Sequence, residues 1–180
     1  MISLKDLNEI HLEKMVEWRS SERINKISYT DVILNIEDQK KWFKSVQKDK
    51  TKKYYAIYYR NKHIGICYLT DISFKNSSCS FGIYIGEENY LISGAGFISE
   101  LKLIHIAFTE FKVNRLHCEV LDSNKNVINL HKKFGFVLEG VLRDCVKKNN
   151  QFHNVVVLSI LKKEWESVAH KFYKYISNLV

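Results

Sequence analysis

The stretch Glu88-Asn89-Tyr90-Leu91-Ile92-Ser93-Gly94-Ala95-Gly96-Phe97 joins a strand-like run, Ser80-Phe81-Gly82-Ile83-Tyr84-Ile85, to an unbroken amphipathic pattern through Leu101, Ile104, Ala107, Phe108 and Phe111. The order is strand, glycine-containing loop, helix. A helix start exposes backbone N–H groups without intrahelical partners beside the positive end of the helix dipole, which binds phosphate without a basic side chain. Gly94 and Gly96 carry no Cβ and allow an anion to approach the backbone. The same two glycines also serve an ordinary tight strand-to-helix turn, so the loop alone leaves both readings open.

Working outward, Asp6 or Asn8 is placed to cap a helix through Leu12, Met15, Val16 and Trp18 to Arg19, followed by a polar-aromatic loop from Ser20 to Leu34. Asn35 caps a second helix carrying Trp42, Phe43 and Val46 on one face. Tyr54–Tyr59 and Ile64–Ile72 read as a hairpin around Arg60-Asn61-Lys62-His63. Asn76-Ser77-Ser78 turns into the Phe81–Ile85 strand. Beyond the glycine-loop helix, Arg115–Leu121 alternates as a strand and Asn124–Phe134 reads as a short helix ended by Gly135. Val137–Val146 and Phe152–Leu161 form a last strand pair around Lys147-Lys148-Asn149-Asn150, and Glu164–Leu179 reads as a terminal helix. The order β-α-α-β-β-β-α-β-α-β-β, with antiparallel strands leading into the loop, is that of a mixed α/β layer protein.

The 180 residues suit one domain, residues 1–180, and a 46% apolar, 13% aromatic composition suits a packed core. No apolar run approaches the ~20 residues of a membrane span. The N-terminus lacks the basic-then-apolar plan of a signal peptide, so a cytoplasmic location is expected. Cys67, Cys79, Cys118 and Cys145 form no CxxC pair; reduced, mostly buried thiols are expected and no metal. The net charge of +8 is scattered over lysines at element ends, which disfavours a nucleic-acid surface.

A second constellation is Asp122-Ser123-Asn124-Lys125-Asn126-Val127-Ile128-Asn129-Leu130-His131-Lys132-Lys133-Phe134-Gly135-Phe136. At helical spacing Val127, Leu130, His131 and Phe134 share one face, with Asn124 near the helix mouth on the same side. His131 is then either a core histidine satisfied by a carbonyl, with Asn124 as a plain cap, or a proton donor to a leaving group.

Taken with the glycine loop, this pattern resembles the Gcn5-related N-acetyltransferase (GNAT) superfamily over Lys5–Trp165. The resemblance implies a mostly antiparallel seven-stranded sheet with splayed central strands, flanked by helices, and acetyl-CoA as cosubstrate. It implies that Leu91, Ile92, Ser93, Gly94, Ala95, Gly96 and Phe97 cradle the coenzyme pyrophosphate. Ile83 and Ile85 would bind the pantetheine arm through the backbone, with Asn124 and Asn129 also on the cofactor side. His131 stands where the family most often has tyrosine, the acid that protonates the departing thiolate. The family's loop usually opens with Gln or Arg, and this one opens with Leu91.

Finer pieces in order are similar to the N-acetyltransferases of pseudaminic acid biosynthesis: Glu17-Trp18-Arg19-Ser20, Tyr29-Thr30-Asp31, Gln39-Lys40-Lys41-Trp42-Phe43, Tyr68-Leu69-Thr70-Asp71-Ile72 and Leu138-Glu139-Gly140-Val141-Leu142-Arg143. That likeness implies a UDP-linked amino-sugar acceptor, acetylated at its 4-amino group for flagellin glycosylation. A planar Arg19 fork suits a diphosphate, Tyr29, Trp42 and Tyr84 offer flat faces for a uracil or hexose, and Gln39, Thr70 and Asp71 offer hydrogen bonds. For Trp18, and for Trp42 as the bland alternative, core packing is the reading. No glutamate stands at the centre of Phe81–Ile85, so a water relayed by Asp71 or a backbone carbonyl is expected to take the amine proton. The expected partners are the sugar nucleotide and at most a second copy of the chain, with no nucleic acid and no membrane. The rival readings are a protein N-terminal acetyltransferase and a degenerate acetyl-CoA-binding module.

Overall fold

The computed structural model describes residues 1–30 and 33–176. One seven-stranded sheet runs through it, built from β1 (Ile2–Asp6), β2 (Lys53–Tyr59), β3 (Lys62–Ser73), β4 (Ser78–Ile85), β5 (Arg115–Leu121), β6 (Val137–Lys148) and β7 (Gln151–Leu161) in the spatial order β1-β2-β3-β4-β5-β7-β6. Every neighbouring pair is antiparallel except β4 and β5, which are parallel. Their pairing ends after Ser78↔Arg115, Cys79↔Leu116 and Ser80↔His117. Beyond it the two strands part, and the sheet opens between Phe81–Ile85 and Cys118–Leu121.

Strand alternation sorts the apolar side chains to two faces. Tyr55 and Ile57 join the larger core, while Ala56 between them joins a smaller one with Leu12, Met15, Trp18, Ile24 and Phe43. The smaller core lies under α1 (Leu12–Arg19), α2 (Glu22–Ile27) and α3 (Ile36–Val46). The larger one holds α4 (Ala95–Thr109), whose Leu101, Leu103, Ile104 and Ala107 are fully buried, and α5 (Lys125–Lys133) through Ile128. Trp18 is core, as its sequence context suggested, and packs close against Gly86: any Cβ there would fall 1.9 Å from the indole.

Three expectations need correction. The Ser20–Leu34 segment is not all loop: Ser21 caps α2, its hydroxyl accepting from the Ile24 N–H at 3.4 Å, and Ile24 is fully buried. The terminal helix is broken into α6 (Lys162–Val168), a 3-10 turn at Ala169–Phe172, and α7 (Tyr173–Ile176). Breaking the run lets both Trp165 and Ile176 bury against the larger core. Lys147 and Lys148 belong to β6, and the turn is only Asn149-Asn150, both at positive φ (47° and 60°) as a tight two-residue hairpin requires. Asn8 caps a 3-10 turn at Glu9–His11, with α1 starting at Leu12. Among the described residues no helix is long and apolar enough to cross a membrane.

Candidate active site

The parting of β4 and β5 opens a cleft of about 640 Å³. At one end stands the glycine loop. A 3-10 turn at Glu88–Tyr90 leads to Gly94, the N-cap of α4, in the left-handed region at φ 76°. A Cβ on Gly94 would meet no atom within 4 Å, so the space above this backbone is open. The α4 ladder begins with Ile98 N–H donating to the Gly94 carbonyl at 3.1 Å, which leaves the amides of Gly96 and Phe97 ahead of it. The Ser93 hydroxyl donates to the Tyr90 carbonyl at 2.7 Å and accepts from the Ala95 N–H at 3.3 Å, fixing the turn. An open backbone, two leading amides and a helix dipole suit a pyrophosphate.

Below this mouth α4 and α5 bring an imidazole and a carboxyl group together. His131 Nδ1 lies 2.6 Å from Glu100 Oε1, with side chains only 3% and 2% exposed. The rings of Phe81 and Phe136 flank the imidazole, each with centroids 5.4 Å away. Both His131 and Glu100 line the cleft, as do Asn124, Val127 and Leu130. Asn124 occupies the N-cap position of α5 but makes no side-chain capping bond. His131 is therefore neither a histidine satisfied by a carbonyl nor a solitary acid.

The opposite wall comes from α1, α2 and the segment after them. The Arg19 guanidinium donates to Ser28 Oγ at 2.9 Å and Thr30 Oγ1 at 3.1 Å. No carboxylate among the described residues lies in ion-pair range of it. Arg23 donates to the carbonyls of Ile85 at 3.1 Å and Gly86 at 2.5 Å, tying α2 to the end of β4. The Tyr29 hydroxyl donates to Glu119 Oε2 on β5 at 3.1 Å; burial first, and then Glu119, push that phenol's pKa up. Lys148, nearly buried at the tip of the β6–β7 hairpin, donates to the carbonyls of Asn25 and Ser28.

Arg19, Tyr68 and Tyr84 also line a second chamber of about 410 Å³, enclosed further by Met15, Gln39, Trp42 and Tyr54. Trp42 meets Tyr54 edge-on at 4.9 Å, and Tyr54 stacks on Tyr68 at 5.1 Å. The Tyr84 hydroxyl is buried without a hydrogen bond among the described residues; burial, the largest cause, raises its pKa, and the Arg19 charge opposes the rise. Burial likewise pushes Tyr54 up to about 12.

Of the residues singled out in the sequence, the cleft gathers His131, Ile83, Ile85, Leu91, Gly96, Asn124, Arg19, Tyr29, Thr70, Asp71 and Tyr84. Ile92, Ser93, Gly94 and Ala95 form the turn at its rim, with the Ile92 side chain 98% exposed. Phe97 turns its ring into the core against Phe134 at 5.0 Å, so only its amide stands at the helix mouth. Asn129 is on the exposed side of α5, away from the cleft. Gln39 is 6% exposed and belongs to the second chamber. Asp71 sits exposed at φ 51° where the β3–β4 register slips, and Asp31 lies outside the described residues. The sequence reading passed over Glu100, whose signal is one carboxylate inside an apolar helix, and Arg23, whose signal is a second arginine four residues after Arg19.

An open parallel strand junction, a glycine-mouthed helix above it and a buried histidine on the following helix define a class. Residues 2–137 match the acetyltransferase (GNAT) domain, and the chain belongs to that family of N-acetyltransferases. Among individual proteins it is similar to acetyltransferase PseH of Campylobacter jejuni subsp. jejuni (serotype O:23/36, strain 81-176), with 28% identity over 83% of this chain and 96% of that one. It is also similar to the uncharacterized N-acetyltransferase p20 of Bacillus licheniformis, 34% identical over 57% of each chain. The fold is that of the spermidine N-acetyltransferase from Vibrio cholerae solved with CoA and spermine: TM-score 0.87, 17% identity, covering 92% of this chain and 98% of that one.

Proposed function

We propose that the chain transfers acetyl from acetyl-CoA to the 4-amino group of UDP-4-amino-4,6-dideoxy-N-acetyl-β-L-altrosamine, in the pathway to pseudaminic acid and so to glycosylated flagellin. The similarity to PseH over nearly the whole chain supports the pathway. The observation that carries the acceptor class is Arg19: a guanidinium with no carboxylate partner among the described residues, standing where the cleft and the aromatic second chamber meet. A diphosphate at Arg19 would leave the amino-sugar in the cleft beside Thr70, Asp71 and Tyr29, and the uracil among Trp42, Tyr54, Tyr68 and Tyr84 beside Gln39.

On the other side, the turn at Leu91–Gly94 and the amides of Ala95, Gly96 and Phe97 would hold the coenzyme pyrophosphate. Backbone amides of the parted stretch Phe81–Ile85 would bind the pantetheine arm and the tetrahedral oxyanion. His131 protonates the departing sulfur. Transfer is direct. Burial raises the pKa of Cys67, of Cys118 and of Cys79, the last to about 12, so these thiols stay protonated and poor nucleophiles. Cys145 is exposed on the β6–β7 hairpin and does not line the cleft.

The deciding experiment is an acetyl-transfer screen that sets UDP-amino-sugars beside N-terminal peptides and polyamines. The reading expects turnover on the sugar nucleotide and competition by free UDP. Faster acetylation of peptides or polyamines, or no inhibition by UDP, removes the sugar-nucleotide assignment and leaves the acetyltransferase class.

A further inference from the structure

We propose that Glu100 is a positioning residue that makes His131 a two-way proton carrier, so that one imidazole takes the proton shed by the attacking amine and delivers it to the departing sulfur. This rests on the transferase reading of the cleft and goes beyond it by assigning the amine's proton.

At 2.6 Å one proton lies between His131 Nδ1 and Glu100 Oε1. An ionised carboxylate can only accept, so it draws the Nδ1–H form of the ring and leaves Nε2 as the nitrogen that gains and loses protons. Nε2 makes no hydrogen bond among the described residues, and it is not one of their fully buried unpaired atoms, so it keeps contact with the cleft that His131 lines. The flanking Phe81 and Phe136 rings leave the imidazole little freedom to turn its nitrogens over. A carboxylate buried beside the ring also steadies the imidazolium formed in mid-reaction. The other titratable groups of the cleft are placed less well. Glu119 is engaged by Tyr29, Asp71 is exposed on the β3 irregularity, the Nδ1 of His117 is buried without a partner among the described residues and so held off the cleft, and none of the three hydrogen-bonds His131.

The balance closes on one proton. The amine lone pair attacks the thioester carbon and the N–C bond forms. The C–S bond breaks with its electron pair going to sulfur, and one proton leaves nitrogen and ends on sulfur. His131 Nε2 gains that proton and loses it again, while Nδ1–H keeps donating to Glu100 throughout. Neither residue is changed at the end of the cycle.

Two measurements test this. Nitrogen-15 NMR of the histidine rings in the whole protein, in mildly alkaline buffer, should show Nδ1 of His131 protonated and Nε2 bare; the reverse tautomer overturns the proposal whatever the protein acetylates. In steady-state kinetics with the amine that wild type turns over, Glu100→Gln should lower kcat about 10²-fold or more with little change in KM for acetyl-CoA, and Glu100→Asp should recover part of it. In a His131→Tyr background, where a phenol has no tautomer to fix, adding Glu100→Gln should cost less than about threefold. An equal loss in both backgrounds would show that Glu100 only supports the fold. If wild type acetylates no amine, the transferase reading fails while the tautomer result still decides the pairing.

Discussion

The α4–α5 wall and the α1–α2 wall face each other across the split sheet, and different forces hold them. The first is held by apolar burial: Leu101, Leu103, Ile104 and Phe134 are fully enclosed, and the polar link between its two helices is Glu100–His131. The second also buries Leu12, Trp18 and Ile24 in the smaller core, but the side it turns to the cleft is held by polar contacts. Arg19 reaches Ser28 and Thr30, Arg23 reaches two carbonyls of β4 and its end, Tyr29 reaches Glu119, and Lys148 reaches the end of α2. Close packing allows little displacement, whereas exchanging one hydrogen-bonded side chain leaves neighbouring ones in place. On the proposed assignment, the reacting groups sit on the more closely packed wall and the acceptor contacts on the wall whose side chains can be exchanged one at a time.

The largest effect should come from the packed wall. His131→Gln can keep a hydrogen bond to Glu100 but cannot shuttle a proton, so kcat should fall roughly 10²- to 10⁴-fold with acetyl-CoA affinity nearly intact. Stopped-flow turnover beside calorimetry checks both halves, and a normal rate would return His131 to packing. Next is the rim. Gly94→Val places a β-branched residue at φ 76° and fills the open space over the amides. Acetyl-CoA affinity should drop by about 2 kcal/mol, roughly 30-fold, from lost charge-assisted contacts. Unchanged affinity by calorimetry would remove the pyrophosphate cradle from this loop.

On the polar wall the effects should be smaller and selective. Arg19→Ala should raise KM for the UDP-amino-sugar about tenfold and leave KM for acetyl-CoA within about twofold, since one charge-assisted contact is lost. Equal effects on both substrates would mean that Arg19 only braces Ser28 and Thr30. The smallest effect concerns the core beneath this wall. Burial, and then the neighbouring His11, push His63 from its ordinary 6.5 down to about 4. The unfolded chain takes up this proton near pH 6.5 and the folded chain only near 4, so this stability is complete above about 6.5 and is lost as the pH falls toward 4. With the effect cut by about half because the ring is partly exposed to solvent, melting should fall by about 2–5 °C between pH 7 and 4.5. The emission of Trp18, whose ring is 4.7 Å from His63, should respond before that of Trp165 in single-tryptophan variants.

What the sequence made legible follows the same division. The glycine loop, the α4 pattern and the His131 face are local periodicities, and they carried the fold and one wall of the cleft. Glu100 escaped because its meaning lies 31 residues away: within its own helix it is one charge among apolar neighbours. Helix α2 escaped because six residues give too little period to stand out, although Ser21 and Ile24 supply a cap and an anchor. Gln39 stands with the acceptor groups through the subfamily likeness and its hydrogen-bonding capacity, and only the tertiary packing of α3 shows it lining a separate chamber that meets the cleft at Arg19, Tyr68 and Tyr84.

The Lys148 contact with the carbonyls of Asn25 and Ser28 joins positions more than a hundred residues apart. It also sets how this gene can be recombined. A crossover between Ser28 and Lys148 would hand a new acceptor segment to an old hairpin, and the ammonium would meet carbonyls it was never fitted to. The segment and the hairpin tip are therefore best exchanged as a pair, together with the β4 and β5 positions that Arg23 and Tyr29 reach.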